Sequence, residues 1–207
     1  VSVKSSDVTV RYNTFLNSMG QLTYRHGDRI TAYGNFFIGD GKKSDVGGIR
    51  MYGTDHKVFG NYFYGLTAPT IQIDGGDSYY NGMLTDKWTV RRTEVSFNTV
   101  INCSTGITIW GGREYAPQDL IIANNLIVNS GGIAYNRSKT AVTGIPTPRP
   151  VYEGNISYPT LYPANKTSLD VNDPVSGQEI RLADPMLSVS GGVYRLTAGS
   201  SAIDAAI

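Results

Sequence analysis

Short alternations of apolar and polar residues recur along the chain and predict the strands of a solenoid. One series reads apolar–x–apolar, with LTY at 22–24, IRM at 49–51, IQI at 71–73, ITI at 107–109 and IAY at 133–135. Successive side chains of a strand point to opposite faces, so the outer two residues of each triplet should be buried. Stacked triplets therefore predict one buried ladder, formed by Ile49, Ile71, Ile107 and Ile133.

A second series places an asparagine after each of several apolar alternations, at Asn13, Asn35, Asn61, Asn98, Asn125 and Asn155. Their spacings are 22, 26, 37, 27 and 30 residues, so a base period near 22 carries insertions. This period is typical of β-helix coils. Asparagine tolerates the left-handed conformation of a bend, and its amide can bond the same amide one coil away. We therefore expect an asparagine ladder at a bend, and an all-β, parallel β-helix fold.

The same stacking predicts two columns of outward-facing residues on one sheet. The first column contains Ser2, Thr23, Arg50, Gln72, Thr108 and Ala134. The second contains Lys4, Arg25, Tyr52, Asp74, Trp110 and Asn136. Lys4 and Arg25 lie 21 residues apart, so they should sit on neighbouring strands about 4.8 Å apart. Two adjacent cations repel each other, and the pair therefore indicates a site that binds an anion.

Three insertions interrupt the coils, at residues 40–48, 77–92 and 113–119. Long loops on one side of a rigid stack often form the walls of a groove. Aromatic residues in or beside these loops are candidates to stack on sugar rings, with simple packing as the alternative; they are Tyr79, Tyr80, Trp88 and Trp110. After Lys139 the pattern loosens. We expect residues 1–158 to form the coils and residues 159–207 to form a loop-rich segment that caps the open end of the stack.

Composition narrows the range of partners. The chain has 207 residues, is 40% hydrophobic and carries a net charge of +1, which favours neither nucleic acid nor a membrane surface as a partner. Its single cysteine, Cys103, excludes an internal disulfide and is expected in the core. No cluster of His, Cys and carboxylate residues has the spacing of a metal site.

The start of the chain also carries an expectation. There is no signal peptide, and Val1 enters in the middle of the repeating pattern without Met or a cap. An open first coil would expose a strand edge, so we expect an N-terminal β-helix segment or a second copy of the chain to cover it.

Several segments resemble polysaccharide lyase family 6, which contains alginate lyases and chondroitinase B. They are SVKSS (2–6), LTYRHG (22–27), GNFFIGDG (34–41), GGIRMYGTDH (47–56) and GNYFYGL (60–66). The resemblance implies a right-handed parallel β-helix that cleaves uronate-containing polysaccharide by β-elimination. It implies Lys4 as the catalytic base, Arg25 as the catalytic acid and Arg50 as a substrate-binding residue. It also implies Ca²⁺, with ligands upstream of Val1, and a secreted or periplasmic bacterial enzyme.

Elementary chemistry agrees with these roles. β-Elimination removes the proton beside a carboxylate, so negative charge builds up there and cations must be in place. A lysine acting as a base must be neutral, and Arg25 disfavours the charged form of Lys4. Arginine gives up its own proton reluctantly, so Tyr24 and Tyr52 stay open as alternative donors. The other candidate substrate-binding residues are His26, His56, Tyr52, Gln72, Asp74, Tyr79, Tyr80, Trp110 and Arg113.

Other functions stay open from the sequence alone. Alginate is preferred to dermatan sulfate as the substrate, because a sulfated polymer calls for more basic residues than a net charge of +1 suggests. A non-catalytic glycan-binding β-helix would keep the groove and lose turnover. A glycosidase on this fold needs two facing carboxylates, and the two columns offer only Asp74.

Overall fold

The protein is a stack of parallel β-strands in a computed structural model that describes residues 1–79, 83–110, 112–131, 134–137, 143–144, 146–158 and 176–205. These ranges contain twenty-one strands and no helix. No helix in them is therefore long and apolar enough to span a membrane. Three parallel sheets, which we call A, B and C, recur in that order along each coil, so the chain is the expected parallel β-helix.

Sheet A contains β1 (Ser2–Val3), β4 (Gly20–Tyr24), β7 (Val46–Met51), β10 (Ile71–Asp74), β13 (Ile107–Trp110) and β16 (Tyr135–Arg137). Sheet B contains β2 (Thr9–Arg11), β5 (Thr31–Tyr33), β8 (Lys57–Phe59), β11 (Arg91–Ser96), β14 (Gln118–Ala123) and β17 (Val151–Glu153). Sheet C contains β3 (Thr14–Leu16), β6 (Phe36–Ile38), β9 (Tyr62–Tyr64), β12 (Thr99–Ile101), β15 (Leu126–Val128), β18 (Asn155–Tyr158) and β19 (Ile180–Leu182). The inward residues of all three sheets form one continuous apolar core.

The predicted asparagine ladder lies at the bend between sheets B and C. Asn35 Nδ2 donates to Asn61 Oδ1 at 2.9 Å, and Asn61 Nδ2 donates to Asn98 Oδ1 at 3.0 Å. The same contact continues from Asn98 to Asn125 and from Asn125 to Asn155, each at 3.0 Å. These side chains also bond backbone carbonyls of the preceding coil, so each buried amide is satisfied. The prediction is confirmed.

The register of sheet A confirms most of the first series and corrects its last member. Ile49, Ile71 and Ile107 pair with one another and are almost completely buried. Ile133 lies outside the described residues, and Tyr135 pairs with Ile107 where Ile133 was predicted. The predicted alignment of this coil is wrong by two residues. A shift of two keeps every side chain on its original face, so alternation alone does not exclude it.

The shift moves the last members of both predicted columns. Asn136 pairs with Thr108, and Ala134 is buried at the turn before the strand. Ala134 accepts, through its carbonyl oxygen, a hydrogen bond from the Ile107 N–H at 2.7 Å. Neither Ala134 nor Asn136 therefore occupies its predicted outward position. The register of this sheet confirms the first column from Ser2 to Thr108, and it pairs Asp74 with Trp110 in the second column as predicted.

A column of alternating charges runs along the corner between sheets A and B. In sheet B, the residues paired with Thr9 on successive coils are Thr31, Lys57, Glu94, Ile121 and Val151. The residue two positions before each of these six is charged, in the order Asp7, Arg29, Asp55, Arg92, Asp119 and Arg149. Ion pairs join Arg29 to Asp7 at 2.7 Å and Arg92 to Asp55 at 2.7 Å. Arg149 continues the alternation to Glu179 at 2.7 Å. We call these six residues the charge column. Oppositely charged neighbours attract in this register, so we expect the column to favour correct stacking of the coils.

The described part of the C-terminal segment, residues 176–205, extends the end of sheet C and also packs along its outer face. The hairpin of β20 (Leu187–Ser190) and β21 (Val193–Leu196) lies against the outer face of sheet C. Tyr194 stacks on Tyr64 with ring centroids 5.7 Å apart, three coils from the start of the chain. The outer face of sheet C carries apolar side chains that gain from this cover, as at Ile101 and Val128. β19 also extends sheet C beyond residue 158, while residues 159–175 lie outside the described residues.

Candidate active site

Sheet A places the two predicted cations beside each other. Val3 pairs with Tyr24, so Lys4 and Arg25 follow in register at the ends of neighbouring strands. The Arg25 N–H donates to the Val3 carbonyl at 2.8 Å, which holds the two coils together at this point. Lys4 is exposed and Arg25 is half-buried.

Three guanidinium groups surround the ring of Tyr52. The Cζ atoms of Arg25, Arg50 and Arg113 lie 5.8, 5.2 and 6.0 Å from its centroid. Arg25 and Arg50 come from successive coils, whereas Arg113 comes from the third insertion. Such a concentration of cations over an aromatic ring is suited to binding an anion from the groove. We call Lys4, Arg25, Tyr52, Arg50 and Arg113 the cation cluster.

Asp74 lies beneath this cluster and does not reach solvent. Its carboxylate is fully buried, accepts hydrogen bonds from Arg50 Nε at 2.7 Å, and accepts one from Gln72 Nε2 at 2.8 Å. The sequence places Asp74 among the substrate-binding residues, and the structure places it behind two of them. It therefore orients Arg50 and Gln72, because a buried carboxylate needs charged and polar partners.

Two polar atoms in the cluster are buried without a hydrogen bond of ordinary geometry among the described residues. They are Arg25 Nη1 and the Tyr52 hydroxyl. Burial, together with the neighbouring Asp74 carboxylate, raises the pKa of Tyr52 to about 12, against the opposite effect of Arg50 and Arg113. Tyr52 therefore keeps its proton across the neutral range and can act as a donor. Both atoms are inaccessible to solvent, and the polar neighbours of the Tyr52 hydroxyl are the Asp74 carboxylate and the Arg113 guanidinium.

The structure places His56 inside the stack and not in the groove. Its Nδ1 accepts a hydrogen bond from the Ile30 N–H at 3.2 Å, and its Nε2 lies 2.9 Å from the Tyr52 carbonyl oxygen. A carbonyl only accepts, so Nε2 carries the proton of the neutral ring. Burial lowers the pKa of His56 to about 4. His56 thus supports the backbone of Tyr52 from below, and its predicted direct contact with substrate is corrected to this supporting place.

His26 is also covered, and so is Tyr24. Only 5% of His26 is exposed, because its ring packs edge-on against Trp88 at 5.2 Å and its Nε2 lies 3.0 Å from the Asp86 carbonyl oxygen. The Tyr24 hydroxyl lies in the core, where burial raises its pKa. His26 therefore offers almost no surface to a polymer, and its predicted direct contact with substrate is corrected. Tyr24, which the sequence left open as a proton donor, does not reach the groove.

The second and third insertions pack against each other and form one wall. The Tyr79 and Tyr115 rings lie 4.5 Å apart, and Gln118 Nε2 donates to the Tyr79 hydroxyl at 2.8 Å. Arg113 Nη1 binds Asp77 Oδ1 at 2.6 Å. Asp77 and Tyr115 were not predicted as site residues. Their contacts join loops of irregular length, and no spacing in the sequence indicates such contacts.

The aromatic candidates for sugar stacking separate into two groups. Trp110 is 49% exposed on sheet A and pairs with Asp74, and Tyr79 is 38% exposed at the wall. Trp88 is 6% exposed, so its predicted role on a sugar face is corrected to packing under the wall. Tyr80 lies outside the described residues.

The described residues do not fit the calcium ion that the family resemblance implies. They hold no group of three or more His, Cys, Asp or Glu side chains placed to bind a metal. Asp74 and Asp77, the acids nearest the cluster, are engaged by Arg50 and Arg113.

Comparison with known proteins identifies the family of this chain. The family model described as chondroitinase B matches residues 1–136. The chain belongs to the chondroitinase B family. No curated protein sequence matches it at a significant level. The family match covers the two cations, Arg50 and the second and third insertions, so the whole cluster lies inside it.

Solved structures of family 6 polysaccharide lyases share the fold. An alginate lyase named AlyGC is 24% identical with a TM-score of 0.71, over 96% of this chain and 26% of that chain. The alginate lyase AlyF-OU02 in complex with G6 is 21% identical with a TM-score of 0.69, over 97% and 45%. A mannuronic acid specific family 6 lyase from human gut microbiota is 22% identical with a TM-score of 0.63, over 75% and 35%. The chain thus spans between about a quarter and a half of the length of these relatives.

Proposed function

We propose that this chain carries the catalytic face of a polysaccharide lyase that cleaves 4-linked uronate polymers, with alginate as its substrate. The observation that carries the proposal is the convergence of Arg25, Arg50 and Arg113 on Tyr52, beside the exposed Lys4. A uronate carboxylate gains charge as its neighbouring proton leaves, and a cluster of fixed cations stabilises that charge most in the transition state.

The proposed reaction divides the chemistry between neighbouring coils. Lys4 takes the proton from the carbon beside the carboxylate, because it is the exposed amine of the cation cluster. Arg25, which is half-buried, stabilises the developing charge with its guanidinium and donates a proton to the departing 4-linked oxygen. That oxygen leaves with a proton as the double bond forms between C4 and C5.

The donor of that proton has a second candidate in Tyr52. Its raised pKa keeps it protonated, and the Arg113 guanidinium lies beside its ring. Only 2% of Tyr52 is exposed, so this role requires its hydroxyl to become accessible when substrate binds. Tyr24 is not retained as a candidate, because its hydroxyl lies in the core. Arg50 and Arg113 are proposed to hold the carboxylate, since both are partly exposed and both are oriented by an acid.

Two substrates follow from different observations. Alginate is preferred, because it carries carboxylates and no sulfates and the chain has a net charge of +1. Dermatan sulfate is the second candidate, because the matching family model is that of chondroitinase B. Either polymer is too large to enter a cell, so we propose a secreted or periplasmic enzyme. We also propose that an N-terminal β-helix segment or a second copy of the chain covers the edge of β1.

One assay tests the proposal against its alternatives. The protein is incubated with polymannuronate, polyguluronate or dermatan sulfate, and both near-ultraviolet absorbance and reducing ends are followed. A lyase makes a C4–C5 double bond, so both signals should rise together on one of the two alginate polymers. Reducing ends without absorbance would indicate a glycosidase. Binding of a polymer with neither signal would indicate a glycan-binding module and would contradict the proposal.

A further inference from the structure

The loop that follows Asp74 contacts the coil of Arg25 through His26. His26 Nε2 lies 3.0 Å from the carbonyl oxygen of Asp86, and a carbonyl requires that this nitrogen donate. The His26 ring also supports Trp88 in an edge-on contact at 5.2 Å. Trp88 in turn donates its Nε1–H to the Met83 carbonyl at 3.1 Å. The far end of the loop is thereby held over the strand end that carries Arg25.

The near end of the same loop is closed and points toward Arg113. The Asp77 N–H donates to the Lys87 carbonyl at 2.7 Å, and the Thr89 N–H donates to the Ser78 carbonyl at 2.9 Å. Asp77 then holds Arg113 Nη1 at 2.6 Å, which places that guanidinium 6.0 Å from the Tyr52 centroid. The bonds at this neck join Asp77 to Lys87 and its neighbours. A connected series of contacts therefore runs from His26 through the loop to Arg113.

We propose that His26 is a positioning residue that acts through this loop and keeps Arg113 in the cation cluster. The proposal rests on the proposed lyase function for its effect on activity, but not for the contact itself. His26 is next to Arg25 in sequence, yet its ring is buried and its Nε2–H already donates to the Asp86 carbonyl. It therefore touches neither the polymer nor the reacting atoms, and it influences binding by fixing where a second loop is supported.

The proposal makes a specific statement about substrate affinity. Release of the loop should let Arg113 leave its place and weaken binding of the uronate carboxylate, while Lys4 and Arg25 keep theirs. A residue that only helps to grip the substrate raises KM more than it lowers kcat. We expect His26→Ala to raise KM about tenfold, comparable to Arg113→Ala. In both variants the hydrogen bond between Arg113 and the substrate carboxylate is lost.

A structural readout separates this proposal from the proposed function. The chain has two tryptophans, so Trp110→Phe leaves Trp88 as the only indole. Trp88 is 6% exposed and its fluorescence should resist a soluble quencher such as acrylamide. In the Trp110→Phe background, His26→Ala should make Trp88 accessible to the quencher. His26→Gln should retain part of the protection, since its amide can still donate to the Asp86 carbonyl, and it serves if the alanine variant folds poorly.

The decisive test is a double-mutant comparison on the alginate polymer that is cleaved. If His26 acts through Arg113, His26→Ala combined with Arg113→Ala should have nearly the KM of Arg113→Ala alone. Asp77→Asn should raise KM while Trp88 stays protected from the quencher, because it weakens the contact between Asp77 and Arg113 and leaves the His26 contact in place. If the increases in KM of the two single variants multiply in the double variant, the proposal is overturned. A large loss of kcat in His26→Ala with Trp88 still protected from the quencher would overturn it as well. Exposure of Trp88 in a chain that cleaves no polymer would instead count against the lyase function alone.

Discussion

Arg50 and Asp74 form an ion pair in which Nε and Nη2 both approach the same carboxylate oxygen, at 2.7 and 2.6 Å. The Asp74 carboxylate is fully buried, whereas 35% of the Arg50 side chain stays exposed. The acid thus lies behind the arginine and directs it toward the groove. Gln72 occupies the second carboxylate oxygen, so the arrangement cannot slide easily from one oxygen to the other.

The first prediction concerns this pair. Asp74→Asn keeps the shape of the side chain and removes the charge that orients Arg50. We expect KM to rise about tenfold with kcat nearly unchanged, and the free energy of unfolding to fall by about 1–3 kcal/mol. Steady-state kinetics and urea denaturation measure the two effects. The double variant with Arg50→Ala should bind no worse than Arg50→Ala alone, and a further loss would contradict an orienting role.

The second prediction concerns the proposed base and acid. Lys4→Ala should lower kcat by a factor on the order of 10² to 10⁴, because general base catalysis contributes that much. Arg25→Ala should do similar damage. Arg25→Lys keeps the charge and loses the planar set of donors, so it should recover little activity.

Folding of these variants is checked by circular dichroism, and Lys42→Ala on the loop of the first insertion provides a matched lysine control. Near-normal kcat for folded Lys4→Ala would show that another group removes the proton. The donor role of Tyr52 is tested separately by Tyr52→Phe, which removes the hydroxyl and keeps the ring beside Arg50.

The third prediction concerns the charge column. Arg92→Asp would place three acids in succession, at 55, 92 and 119, and should destabilise the stack by about 1–2 kcal/mol at low salt. Arg92→Gln should cost less, because it removes attraction without adding repulsion. Arg92 has a φ of 49°, a conformation that Asp tolerates better than Arg, so backbone strain cannot account for the loss.

Salt separates this electrostatic effect from other causes. Raising the ionic strength from about 0.01 M to 1 M shortens the Debye length from about 30 to 3 Å, so the difference between Arg92→Asp and wild type should shrink. Arg195→Asp, on the exposed C-terminal hairpin outside the column, is the matched control. An equal loss in both variants would mean that the alternation contributes nothing.

The fourth prediction concerns pH and His56. Burial lowers the pKa of His56 from 6.5 to about 4, so the unfolded chain binds a proton more readily than the folded chain between these values. Stability is complete above pH 6.5 and falls as the pH drops toward 4. At about 1.4 kcal/mol per pH unit, the loss approaches about 3 kcal/mol.

Urea denaturation between pH 7.5 and 4.5 measures this slope. His56→Gln keeps an acceptor for the Ile30 N–H and has no titrating ring, so it should lose the slope that His56 contributes. The variant is expected to be less stable at pH 7.5 and nearly equal to wild type at pH 4.5. Parallel slopes in the two proteins would show that His56 does not control stability in this range.

The repeating elements of the fold could be predicted because they depend on local periodicity. A strand buries alternate residues, and a buried asparagine needs another amide beside it, so both series show in the order of residues. The pairing of Thr23 with Arg50 and of Arg50 with Gln72 followed directly. The slip at Tyr135 marks the limit of this reasoning, since a shift of two residues preserves the alternation.

Which candidate site residues lie beside one another was predictable only on that regular sheet. Lys4, Arg25, Arg50 and Tyr52 were found because strand register places them in adjacent columns. The depth of each side chain was not predictable in the same way. Asp74 belongs to the same column as Trp110, yet one is fully buried and the other about half exposed. Loops that fold over a column decide this depth, and their course does not follow the period of the coil.

The sequence by itself determined the coil, its repeating bend and the neighbourhood of Lys4 and Arg25, because these result from interactions at a constant separation along the chain. Only the tertiary structure decided that His26 and His56 serve as supports, and that Arg113 joins Arg50 over Tyr52. Those contacts join residues from insertions of unequal length. Their partners are selected by shape, burial and charge in three dimensions, and no periodic pattern in the sequence encodes that choice.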